Sequence, residues 1–557
     1  MASYDDDYDY DLGPHGRTIT TSSPEAQRWF DRGLNWTYGF NREEAQRCFE
    51  RALEHDPACA MAHWGVAYAA GPNYNRTWAM LEPAELRKTV ARTFAASQRA
   101  LAVCEHAAPG EQALISALAA RYPQAEPVED CAIWNDDYAD AMRAVYHDFA
   151  DDLDVAAFFA EALLNRTPWQ LWDLPTGQPA EGASTLEARA VLERALADPA
   201  SQRHPGVLHQ YIHLMEMSPE PEQALRAADW LRDLVPDSGH LRHMPTHIDT
   251  LCRSYYSAVT CNTAAIAADN KYAARQGTMN MYTFSRLHNH IVRLYAAMFL
   301  AQSEIALESA DAILDIIPRK LLEQQTPIVM ADRLEGFIPA KLHVLIRFGR
   351  WQEIIDTPLP DDPELLCYTT AMTHYAKGIA YAVTGRIPAA EEQQRLFVAA
   401  AARVPETRWH QGNRCVDLLL IAGAMLAGEL EYRKGNYDDA FAHLRESVRL
   451  YDELLYSEPW GGMQPARHAL GALLLEQDRV EEAEAVYKAD LGLGGSLARA
   501  HQHPGNVWSL HGYHECVMRL GKHDLCGPVS QRLTLASARA DVPIDASCFC
   551  RLTHAAD

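Results

Sequence analysis

The architecture of this chain is written in residues 26–57, AQRWFDRGLNWTYGFNREEAQRCFERALEHDP. Small or apolar residues recur at Ala26, Phe30, Gly33, Leu34, Tyr38, Phe40, Ala45, Phe49, Ala52 and Leu53, and the stretch closes on Asp56-Pro57. That spacing fits two antiparallel helices of about 14 residues each, with small side chains where they cross and large ones between stacked neighbours.

This is the tetratricopeptide (TPR) pattern, and weaker echoes follow at 224–236, 256–272, 435–450 and 478–490. Between them the 3.6-residue period persists near 84–105, 137–149, 154–165, 284–300, 327–348 and 365–384, with little strand-like alternation. The expected fold is all-α, a TPR-like α-solenoid over 17–540, curled into a closed superhelix around a central chamber. Residues 1–16, where aspartates alternate with tyrosines and no helical period appears, are expected to be a solvated, disordered acidic tail, and 541–557 a C-terminal tail.

A formal net charge of -25 repels phosphate at long range and disfavours nucleic acid and anionic membranes. The longest apolar run, 418–426, is half of the ~20 residues that span a bilayer, and no basic n-region precedes an apolar stretch at the start. The 12 cysteines are scattered, with Cys548 and Cys550 the one close pair, so neither a disulfide framework nor a zinc knuckle is expected and a reducing cytoplasm is the natural compartment.

Chemistry concentrates between residues 204 and 290, which hold His204, His209, His213, His240, His243, His247, His288 and His290, eight of the chain's 24 histidines. In His204-Pro-Gly-Val-Leu-His209-Gln-Tyr-Ile-His213-Leu-Met-Glu216, Pro205 suits a first helical turn, and His209, His213 and Glu216 then share one face. In His240-Leu-Arg-His243-Met-Pro-Thr-His247-Ile-Asp249, Pro245 starts a helix with His243 just before it and His247 in its first turn. Asp249 is either an outer-shell partner of a ligand or a first-turn acid. His288 and His290 diverge by roughly 200° on a helix, and His288 is the one expected to join the site.

Two helical histidine pairs and a carboxylate are the parts of a transition-metal site, with His209, His213, His243 and His247 as ligands and Glu216 and His288 as catalytic groups. His63, Trp64, Asn73, Tyr211, Tyr282 and Asn289 are candidates to bind substrate, although turn capping and core packing account equally well for most of them. His511 and His514 with Glu515 form a weaker second metal face. No Rossmann, Walker, HExxH or GxSxG motif is present.

At these residues the chain resembles a large family of bacterial and fungal TPR proteins that carry similar runs: HPGxxHxYIHxxE at 204–216, HMPxHI at 243–248 and His288-Asn289-x. The Trp64-Gly65 to Asn73 segment and the Glu-Ala-Glu-x-Val-Tyr run at 482–487 also resemble it, so that the likeness covers residues 24–520. The resemblance implies the architecture and the grouping of the histidine motifs, and it names no reaction.

Imidazoles without thiolates suit copper, iron or zinc. The leading expectation is a cytoplasmic metal-dependent oxidoreductase using dioxygen on a small organic substrate. A zinc hydrolase with Glu216 activating water is a further alternative. The rival from another class is a TPR adaptor that holds a peptide or protein in its concave groove with the histidines as lining. Self-association into a homo-oligomer stays open.

Overall fold

In the computed structural model, residues 8–325 and 329–552 are described. They are all-α, a TPR-like helical repeat, and their strand content is two antiparallel ladders of two residues each, Trp172–Asp173 with Gln178–Pro179 and Trp409–His410 with Asn413–Arg414. Where the sequence suggests one array over 17–540, contacts gather the residues into two compact units. The first runs to Ile248 and takes in Ala264–Gly277; the second comprises Asp249–Thr263 and the residues from Thr278.

In the first unit the opening stretch forms helices Pro24–Tyr38 and Arg42–His55, followed by Ala60–Ala70. Ser23 caps the first by accepting the Ala26 N–H at 3.2 Å, and Asn41 caps the second through the Glu44 N–H at 3.3 Å. The Phe49 ring is wedged between two helix glycines: a Cβ on Gly33 would lie 2.7 Å from it, and one on Gly65 2.5 Å. The second unit repeats the device, with the Tyr487 ring against Gly471 and Gly512. Small residues where helices cross a bulky ring are what the period of residues 26–57 demands.

The chain's beginning departs from expectation. Residues 1–7 lie outside the described residues, but Tyr8, Tyr10 and Leu12 are buried while Asp9 and Asp11 between them are exposed. The period is two, that of an extended segment, so a search for helical spacing misses it. Tyr8 Oη donates to Glu44 Oε1 at 3.1 Å and accepts from Trp36 Nε1 at 2.6 Å, and Asp9 pairs with Arg275 at 2.6 Å. At the other end Ala546, Ser547 and Cys550 are buried, Ser547 Oγ donates to the His468 carbonyl at 2.9 Å, and Cys548 and Cys550 are joined by a disulfide. Residues 553–557, and 327 and 328 of the helical stretch expected over 327–348, lie outside the described residues; from Met330 that stretch is a series of short helices.

Candidate metal centre

Helix Pro205–Met215 begins where Pro205 places it, and its cap is an imidazole: His204 Nδ1 accepts the Val207 N–H at 3.2 Å. Glu216 follows the last helical residue in the same right-handed conformation (φ -59°, ψ -32°), so it stays in line with His209 and His213. Pro245 splits the second motif into helices Gly239–His243 and Pro245–Leu251, leaving His243 at the end of one and His247 in the first turn of the next.

These elements bring five imidazoles and one carboxylate together inside the first unit. His209, His213, His243 and Glu216 are 0% exposed, His247 2% and His240 6%. The ligand atoms of His209, His213 and His240 lie within 4.8 Å of one another, as do those of His213, Glu216 and His247.

Four of the five rings are oriented by what their Nδ1 touches. His209 Nδ1 is 2.7 Å from the Tyr38 carbonyl, His213 Nδ1 2.7 Å from Glu216 Oε1, and His247 Nδ1 2.5 Å from Glu216 Oε2. His243 Nδ1 is 3.3 Å from Thr246 Oγ1. A carbonyl or carboxylate beside Nδ1 places the proton there and leaves the Nε2 lone pair for a cation. The Nε2 atoms do meet: His209 and His240 at 3.2 Å, His243 and His247 at 2.9 Å. Two ligand nitrogens on one tetrahedral ion, each about 2.05 Å from it, are separated by roughly 3.3 Å.

The electrostatics agree. Burial would raise the Glu216 carboxyl, but His247 and His213 overcome it and hold the group well below the usual carboxylate range. Burial first, then neighbouring imidazoles, keeps His209 and His240 far below the ordinary histidine range and therefore neutral. Aromatic rings enclose the cluster, with Phe40 4.5 Å from His209, Tyr74 4.7 Å and Trp169 5.8 Å from His213 between ring centroids. Phe40 (φ 54°) and Trp169 (φ 61°) both sit in the left-handed region, costly for a bulky side chain and common beside functional sites.

Of the other sequence candidates, His63 is bonded to the Pro57 carbonyl at 3.0 Å, and Asn73 accepts the Asn75 N–H at 3.1 Å, the turn-capping role. Trp64 stacks on Tyr68 at 4.9 Å within the core, and Tyr211 is buried beside Glu193 and Arg189. His288, Asn289 and Tyr282 belong to the second unit, where His288 Nε2 lies 2.9 Å from Glu458. Glu515 is engaged by Arg551 at 2.6 Å and Arg519 at 3.0 Å, which occupies the acid of the weaker metal face. His240, Phe40, Tyr74 and Trp169 are absent from the ligand and substrate candidates drawn from sequence. His240 lies three residues before His243 and so is within reach of spacing, whereas the three rings are distant in sequence and no local pattern, Phe40's place in the repeat included, points to a metal site.

No family model matches this chain, and no curated protein matches it. Solved structures with similar folds include the apo form of RapI (TM-score 0.31, 12% identity, covering 64% of this chain and 93% of that one). Yeast Tom70 aligns with TM-score 0.30 and 10% identity over 91% of this chain and 99% of its own. The Rap protein complexed with competence and sporulation factor aligns with TM-score 0.28 and 11% identity over 70% and 99%. No helix among the described residues is long and apolar enough to cross a membrane.

Proposed function

We propose that this chain is a metalloprotein on a TPR-like scaffold, and that His209, His213, His240, His243 and His247 hold a late first-row transition metal in the first unit. The observation that carries this is the shared orientation of the rings: oxygens sit beside Nδ1 of four histidines, and paired Nε2 atoms approach to 3.2 and 2.9 Å. Two neutral imidazoles cannot bring bare lone pairs this close without a cation or proton between them. Three or more imidazoles without thiolate suit copper, iron or zinc.

For the chemistry at that centre, a dioxygen-using oxidoreductase acting on a small organic substrate is favoured over zinc hydrolysis. A zinc hydrolase with Glu216 as its base needs that carboxylate to activate water, and both its oxygens are occupied by His213 and His247. The second reading is an adaptor that binds a peptide or protein, and the TPR-like architecture itself speaks for it. Under that reading the groove is lined by other residues, because these histidines are buried.

The test is metal analysis of untagged protein by inductively coupled plasma mass spectrometry, beside His213→Ala and His247→Ala. Near-stoichiometric copper, iron or zinc in wild type, lost from both folded variants, is the expected result. Protein that carries no metal and takes up none when it is added transfers the case to the adaptor.

A further inference from the structure

The second unit contains a partly open pocket that none of the sequence motifs predicts. Tyr368, Met372, Ile379 and Leu418 give it an apolar wall, and Arg347 and His468 give it a polar end.

Arg347 is 4% exposed, and its guanidinium rests on neutral acceptors. One terminal nitrogen donates to His468 Nδ1 at 2.8 Å, the other donates to the Ser547 carbonyl at 2.7 Å, and the group lies 4.1 Å above the Trp508 ring. Its Nε–H has no acceptor among the described residues. Asp490 is the acid nearest in the network, but His468, His503, Asn506 and Ser509 take up its oxygens at 2.6–3.1 Å. Glu429, the acid in the cavity lining, is paired with Arg433 at 2.7 Å. Burial lowers the guanidinium only to about 9, so it is charged at neutral pH. A buried cation with a donor to spare and no carboxylate in contact is costly unless something supplies the counter-charge.

We propose that this cavity binds a small monocarboxylate with an apolar body, its carboxylate on Arg347 and its alkyl or aryl part against Met372, Ile379 and Leu418. A carboxylate supplies the acceptor that the Arg347 Nε–H lacks and the counter-charge the guanidinium lacks, and the wall rewards a hydrocarbon over a polar chain. The inference is independent of the metal reading, since every residue it uses belongs to the second unit.

Hexanoate, octanoate, decanoate and phenylbutyrate, each beside the matching alcohol and amine, test it by ligand-observed NMR and thermal shift on the full chain. At least one acid should bind and raise the melting temperature, with its alcohol and amine weaker by about ten-fold or more. Arg347→Gln should lose about ten-fold or more in affinity for the acid. Met372→Trp, which fills the apolar wall and leaves the guanidinium in place, should abolish binding. The proposal is overturned if no acid in the series binds wild type, if alcohol and amine bind as well as the acid, or if folded Arg347→Gln binds unchanged. Should Arg347→Gln not fold, the wild-type series and Met372→Trp still decide.

Discussion

Glu216 Oε2 lies 2.5 Å from His247 Nδ1, across 31 residues of sequence, while its other oxygen engages His213 on its own helix at 2.7 Å. A single buried carboxylate thus sets the tautomer and the tilt of two imidazoles from different helices. Under the proposed metal reading its role is to orient ligands, a task that in metal sites usually falls to a group just outside the coordination sphere.

Glu216→Ala should therefore weaken metal loading by about 10- to 100-fold without removing a ligand nitrogen. Removing one member of a fully buried charged network also costs stability, about 3–5 kcal/mol. Metal titration on refolded protein and urea unfolding measure the two effects separately. Wild-type metal affinity in this variant would make the carboxylate a packing group.

Metal that binds only the folded chain must stabilise it. Adding the metal at about 100 times its dissociation constant should raise stability by roughly 2.7 kcal/mol, and a chelator should reverse this. His240→Ala should shrink the response, because His240 Nε2 is 3.2 Å from His209 Nε2. Differential scanning calorimetry with and without chelator reads it, and an unchanged melting temperature counts against a bound ion.

Asp154 collects His15 and His204 at 3.1 Å each, Tyr38 at 2.5 Å and Arg17 at 3.1 Å, which locks the start of the chain onto the first unit. Although three titratable partners resemble a second ligand set, the guanidinium already neutralises the carboxylate. Asp154→Asn should lose about 3–5 kcal/mol while metal content per folded molecule stays at the wild-type level. Loss of the ion in a folded variant would tie this hub to the centre.

His410 sets an acid limit on the second unit. Burial, then His343 and His288, lower its imidazole to about 3. An unfolded histidine takes up its proton near pH 6.5, so the folded state's advantage is full above that value and is lost as pH falls toward 3. Between pH 7 and 5 the loss is roughly 2 kcal/mol from this residue. Urea midpoints for wild type and His410→Gln across that window should show the shallower slope in the variant; parallel slopes would mean that His410 is protonated in the folded chain.

Gly65→Ala tests the repeat itself. A Cβ there meets the Phe49 ring at 2.5 Å, so the helices must part, at a cost of about 1–3 kcal/mol. Thermal melting measures it, and Phe49→Leu in the same chain should recover part of the loss by clearing the space.

The helical class, the hairpin of residues 26–57 and the pairing of His209 with His213 on one helix face were all legible in the sequence, because each depends on periods of a few residues. The division at Pro245 was legible for the same reason, since a missing N–H breaks a helix locally. The segment around Tyr8 and Tyr10 reads as solvated from sequence alone: its period of two is equally local, but only the presence of Trp36 and Glu44 nearby makes burial of those tyrosines favourable.

Spacing along the chain determined that this protein is a helical repeat with histidines in ligand-like pairs. Tertiary structure alone decided that His240 meets His209, that Glu216 serves His247, and that Phe40, Tyr74 and Trp169 enclose them. Helical periodicity is fixed within a turn or two of backbone, whereas convergence of residues 31 and more positions apart depends on where helices cross, and that is set by packing between side chains no local pattern links.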